Sequence, residues 1–261
     1  MLRKIAYFFS ILSLVLLSSP ALAAKPDGAG PADVPEQDGT YDVPGHPELK
    51  VKVFVHREPA KPSRPGGGGS SLVCSLPDPD SSSVIPGAGW HLADGNTIYR
   101  LNVGSAPSSV ASVFSSVAQT AFNTWSSAVS GQVTFSQGAD TSVGRATFDG
   151  QNIVTFGRTS GSALAVTYTW YNSSTHVAVE TDTVFNLKFA WNWSDFSSGC
   201  AWSGVYDVQN ILTHELGHWM GLNDTYTVAF SNNTMYGYGS TMEIKKDTLT
   251  AGDIAGVQAL Y

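Results

Sequence analysis

Two histidines four residues apart, with a glycine three residues after the second, constrain this chain more than any other feature. They lie in the stretch Tyr206 to Asp224, which reads YDVQNILTHELGHWMGLND. Val208, Ile211, Leu212 and Trp219 recur at helical spacing, so His214 and His218 sit one turn apart on one face and aim at one point. Gly221 can end that helix with positive φ and turn the chain back, which brings Asp224 to the same point. Two imidazole nitrogens and a carboxylate oxygen are donors suited to zinc, and three protein ligands leave a position open for water. Glu215 lies beside that open position. A carboxylate there accepts the proton of an attacking water and passes it to a leaving amine.

The start of the chain, MLRKIAYFFSILSLVLLSSPALAAKP, sets its compartment. Basic Arg3 and Lys4, the apolar run Ile5 to Leu17 and the small-x-small site Ala21 to Ala23 form a secretory signal over residues 1–23. The run is shorter than the ~20 residues a membrane span needs, and no later stretch is long and apolar enough to cross. The mature chain is therefore expected to be secreted, extracellular or periplasmic, with no membrane partner. The formal net charge is −7 and no basic cluster occurs, which argues against a nucleic-acid partner. A monomer is expected. Two cysteines, Cys74 and Cys200, in an exported chain point to a single disulfide.

Residues 24 to about 48 are rich in Pro, Gly and Asp and lack apolar periodicity, so they read as disordered or weakly ordered. Leu49 to His56 alternates as one short strand. Pro59 to Ser71, which includes the run Gly66 to Ser70, reads as a flexible linker. This gives an N-terminal pro-like segment and linker over 24–86, followed by one domain over 87–261. Within that domain Thr97 to Val103 alternates as a strand, and Ser108 or Ser109 offers an N-cap to a helix whose apolar face runs from Val110 to Trp125. Further strands are expected at 133–136, 153–156, 163–171 and 176–185. Strands followed by helices predict an α+β domain, a twisted sheet with helices packed on it.

HELGHWMGLND resembles the elongated zinc motif of the metzincins, in the form where aspartate takes the third ligand position. Thr234-Met235-Tyr236-Gly237 resembles their Met-turn. Leu249 to Tyr261 resembles the last helix of matrixin catalytic domains, and Trp90 with Thr97 to Arg100 their opening strand. The resemblance implies a metzincin-type zincin fold: a mostly parallel five-stranded sheet with an antiparallel edge strand, an active-site helix and a small C-terminal subdomain. It implies a zinc metalloendopeptidase acting on protein or peptide substrates, with one catalytic Zn2+ on His214, His218 and Asp224 and Glu215 in acid–base catalysis. Met235 becomes a hydrophobic floor under the metal. It is not a ligand, because a thioether is soft beside nitrogen and oxygen donors. Tyr236 and Tyr238 are candidates for substrate or oxyanion contacts, although their spacing from Met235 fits plain wall residues better. Ala163 to Tyr171 becomes the edge strand that pairs with an extended substrate, and the loop from Tyr236 to Met242 shapes the primary pocket. The signal and the aspartate ligand match the bacterial branch.

Some alternatives stay open at this level. Cys74 precedes the domain much as the thiol that caps zinc in matrixin propeptides does, but Val73 stands where that motif has arginine, so a Cys74–Cys200 disulfide is preferred to a thiol latch. Glu180 and Asp182 are oxygen donors that calcium could use, and are more plainly read as exposed strand carboxylates. Only His176 lies where vertebrate matrixins carry several structural-zinc histidines, so no second zinc is expected. A zincin of another kind, with Glu243 as ligand, conflicts with the helix break at Gly221. A catalytically silent binding or adhesion module on the same fold is the alternative function, and an intact Glu215 speaks against it.

Overall fold

The computed structural model describes residues 30–31, 34–59, 71–195 and 198–261. The signal at 1–23 and the glycine run at 66–70 lie outside them. Strand β1, Gly39–Val43, and β2, His46–Arg57, form an antiparallel hairpin. The tiny β3, Leu72–Val73, precedes β4, Gly95–Leu101; helix α1, Phe114–Ala128; and then β5, Val133–Gln137. There follow β6, Asn152–Gly157; β7, Ala163–Asn172; and β8, Ala178–Asn186. Three two-residue strands, β9 (Trp191–Asn192), β10 (Ala201–Trp202) and β11 (Tyr206–Asp207), lead into α2, Val208–Trp219, and the chain closes with α3, Ala251–Gln258.

The main sheet has seven strands in the order β1-β2-β7-β8-β6-β4-β5. β8, β6, β4 and β5 run parallel, and β7 is antiparallel to β8. The five strands expected from the resemblance are all present, including the antiparallel edge strand. The difference lies at that edge: β2 pairs antiparallel with β7 along its length, so β7 is not free. Weak order up to residue 48 was also the wrong expectation, since β1 and the start of β2 fall there. Docking orders them. Val51, Val53 and Val55 point to the sheet face away from the helices and are buried with Val34, Tyr168 and Trp170, a tertiary gain that the composition of the segment does not display.

The larger core lies between the sheet and the helices. α1 presents Phe114, Val117, Ala118, Ala121, Phe122 and Trp125 to it. The four residues from Val110 form turns ahead of α1, and Ser109 Oγ donates to the Trp191 carbonyl (2.7 Å) instead of capping the helix. Trp125 Nε1 donates to the Thr213 carbonyl at 2.8 Å and fixes α1 against α2. α2 is buried over its whole length. Its N-cap is Asp207, whose carboxylate accepts from the backbone N–H groups of Gln209 and Asn210, as a short acidic cap does.

Cys74 and Cys200 form a disulfide. It fastens the chain before the domain to the segment leading into α2, where β3 pairs with β10. Neither cysteine retains a free thiol, so the thiol-latch alternative has no thiol to supply. Among the described residues no helix is long and apolar enough to cross a membrane.

Candidate metal centre

α2 places His214 and His218 on one face, with ring centroids 5.0 Å apart. Just past the helix, Gly221 takes φ +93°, and a Cβ there would stand 2.1 Å from the Trp90 carbonyl oxygen. Only glycine fits both the backbone and the space. The chain turns back, and Asp224 Oδ1 comes to 3.1 Å from His214 Nε2 and 3.5 Å from His218 Nε2.

The other nitrogen of each ring is spoken for. His214 Nδ1 donates to the Thr234 carbonyl (2.7 Å) and His218 Nδ1 to the Leu222 carbonyl (2.9 Å). In the neutral rings the lone pairs therefore sit on Nε2. Both Nε2 atoms and Asp224 Oδ1 are buried without a hydrogen-bond partner. Three electron-rich atoms facing one another in a dry site are unfavourable by themselves and become favourable around a cation. Two imidazole nitrogens and one carboxylate oxygen, each ring oriented by a carbonyl, fit zinc. Burial, helped by the Lys246 cation, lowers the His214 pKa to about 4, so this ring is neutral as a ligand must be.

Two neighbours of Asp224 were not anticipated. Tyr226 donates its hydroxyl to Asp224 Oδ2 (3.1 Å), which leaves Oδ1 to face the histidines. Thr225 pairs with Tyr236, its N–H bonding to the Met235 carbonyl at 3.0 Å. The turn at Met235 is in turn held by Asp253, the capping-box residue of α3, which accepts from the N–H groups of Thr234 and Met235. Met235 is fully buried, and a Cβ on Gly217 would lie 2.1 Å from its sulfur. It thus packs tightly beneath α2.

Glu215, also fully buried, has one oxygen fixed by the sheet. Thr167 Oγ1 donates to Oε2 at 2.6 Å. Behind it, Thr183 lies 2.7 Å from Thr167 and accepts from Trp219 Nε1 at 2.9 Å. The indole can only donate, so the bonds run from Trp219 through both threonines into the carboxylate. Burial raises the Glu215 pKa to about 7 against the pull of His218 and Thr167.

The sequence matches the matrixin family of peptidases over residues 90–261, a span that holds both long helices and every residue of this centre. The chain belongs to the matrixin family. No individual curated protein matches it. Membership makes this matrixin a zinc metallopeptidase with protein or peptide substrates.

The structure places the other residues singled out in the sequence as follows. Tyr238, with Asp224 and Tyr226, lines a cleft of about 350 Å³ that Phe54 and Lys52 of β2 border on the other side. The Tyr236 ring stacks edge-on against Tyr238. Glu243 is engaged elsewhere, accepting from Asn210 Nδ2 at 3.2 Å. Glu180 and Asp182 are buried, contrary to the expectation of exposed carboxylates. They accept from the backbone N–H groups of Asp149 and Gly150, and of Thr147 and Ile153, and so hold the turn before β6.

The residues that sequence reasoning missed come from β2 and from the C-terminal segment. His56 Nδ1 lies 3.1 Å from Glu215 Oε1, and its ring packs 3.9 Å from that of His214. Phe54 stacks on His218 at 3.7 Å with the rings nearly parallel. Lys246 is buried, its ammonium 3.2 Å from His56 Nε2. The only sequence signal for the first two was their shared inward phase on an alternating strand.

Proposed function

We propose that this matrixin is a secreted endopeptidase in which His214, His218 and Asp224 hold one zinc ion and Glu215 is the general base. The observation that carries this reading is the convergence of His214 Nε2, His218 Nε2 and Asp224 Oδ1, buried and without hydrogen-bond partners. Zinc bound there supplies a Lewis acid that polarises a substrate carbonyl and acidifies a water molecule. The chain's own groups do the rest. Glu215 takes the proton of the attacking water and passes it to the departing amine. Thr167 holds the carboxylate in line through Oε2. Met235 supports α2 from below, and Tyr236 and Tyr238 act as wall residues.

A substrate adds as a strand to β7, gaining main-chain hydrogen bonds. β2 occupies that place, so peptide binding requires β2 to give way. Export is supported by the signal-like start and the disulfide, and the protein works as a monomer. The test is zinc content and cleavage of a peptide library, before and after trimming of the N-terminal segment, beside Glu215→Ala. The reading predicts one zinc in both proteins and cleavage only with Glu215; a zinc-loaded, trimmed protein that cuts no peptide would overturn it.

A further inference from the structure

β2 does more than cover the edge of the sheet. It runs antiparallel to β7, with Phe54 opposite Thr167 and His56 opposite Ala165. Its inward side chains lie over the two metal-site imidazoles, Phe54 on His218 and His56 on His214. The His56 side chain enters a closed pocket between α2, β7 and the segment after Met235. A Cβ added to Gly239 would meet Ile211, His56 Nε2 and Leu164 at 2.8, 3.0 and 3.1 Å, which shows how tightly the ring is walled.

The floor of that pocket is Lys246. An ammonium has three N–H donors and no acceptor. Two of the three go to the carbonyl oxygens of Tyr236 (2.5 Å) and Tyr238 (2.9 Å), which shape the loop lining the pocket, and the third reaches His56 Nε2 (3.2 Å). Because Lys246 can only donate there, Nε2 must accept. The ring proton is then on Nδ1 and is donated to Glu215 Oε1. One imidazole thus satisfies a buried cation on one side and engages the base on the other. The donor of the first contact belongs to the pocket and needs an acceptor from whatever fills it. The second takes up one carboxylate oxygen of Glu215.

We propose that Lys246 tunes the pocket filled by His56, so that it prefers substrate side chains that end in a hydrogen-bond acceptor. An aliphatic side chain of the same size leaves one N–H of a buried ammonium unpaired, which is costly. Glutamine and histidine carry a suitable acceptor. This inference rests on the reading of β7 as the substrate-pairing edge.

The test uses the full chain with substitutions at the occupant's own position. Amide exchange of β7 reports how firmly β2 is held in the zinc-loaded protein, independently of activity. His56→Gln is expected to keep β7 protection within about threefold of wild type, and His56→Leu, similar in volume, to lose about tenfold or more. In the Lys246→Met background the Gln and Leu variants are expected to become equal. Equal protection of the Gln and Leu variants over the intact lysine overturns the proposal, and that comparison stands even where Lys246→Met does not fold. As a second arm, zinc-loaded His56→Leu is given peptides differing at one position. Cleavage favouring Gln and His over Leu by about tenfold supports the proposal; cleavage without that preference overturns it and leaves the peptidase reading intact. If the exchange ranking holds and no peptide is cut, the pocket stands and the peptidase reading falls.

Discussion

A carboxyl group buried as deeply as Glu215 makes a useful base only if its orientation is fixed. The bonds from Trp219 through Thr183 and Thr167 supply that, ending 2.6 Å from Oε2. Removing the last donor with Thr167→Val should leave zinc content unchanged and reduce kcat/KM by about 10- to 100-fold, the usual cost of losing an orienting partner; an unchanged kcat/KM would show the carboxylate to be held some other way. Gly221 is the other residue on which the centre turns. Gly221→Ala combines a positive φ with a Cβ 2.1 Å from the Trp90 carbonyl, so it should cost at least about 2 kcal/mol in denaturant unfolding and weaken zinc binding, because Asp224 loses its place. The convergence of His214, His218 and Asp224 was legible in the sequence because helix periodicity and a glycine stop are local. Tyr226, His56 and Lys246 were not. His56 and Lys246 lie 159 and 31 positions from Glu215, and no local pattern links them to it.

At the scale of elements, local pattern identified the long helices and every strand of the main sheet except β1, and misjudged their company. Alternation at Leu49 to His56 marked a strand correctly but could not show that it pairs with β7, since strand partners are set by tertiary contact. The start of α1 was misplaced because Ser109 found a better acceptor in Trp191. Glu180 and Asp182 alternate as exposed carboxylates would, yet the turn at 147–153 covers them. The disulfide was expected from the count of two cysteines, and its effect can be measured. The bonded residues are 126 apart, so loop-closure entropy alone gives up to about 5 kcal/mol. Cys74→Ser with Cys200→Ser should lower the thermal midpoint by about 10 °C or more, and neither this change nor reductant should raise peptide cleavage by unmasking the metal. Activation by reductant with no loss of stability would favour the thiol latch instead.

For the molecule as a whole, buried acid groups tie stability to pH. Burial moves Glu180 from an ordinary 4.5 to about 7 and pushes Asp182 upward as well. The unfolded chain then ionises first as pH rises. The contribution from Glu180 is complete below about 4.5 and is lost as pH climbs through about 7. Thermal melts of wild type should therefore fall between about pH 5 and 7.5, and Glu180→Gln should flatten that fall; a wild-type midpoint that rises across the window would reverse the sign. The same folded unit carries the candidate metal centre at the end of its buried helix, with the N-terminal hairpin laid across it. The most direct measurement of what that centre does is zinc content beside peptide cleavage for wild type, Glu215→Ala and Asp224→Ala, each trimmed of the hairpin segment. One zinc per chain is expected in the first two, little in Asp224→Ala, and cleavage by wild type alone. Full zinc content in Asp224→Ala, or cleavage by Glu215→Ala at the wild-type rate, would contradict that expectation.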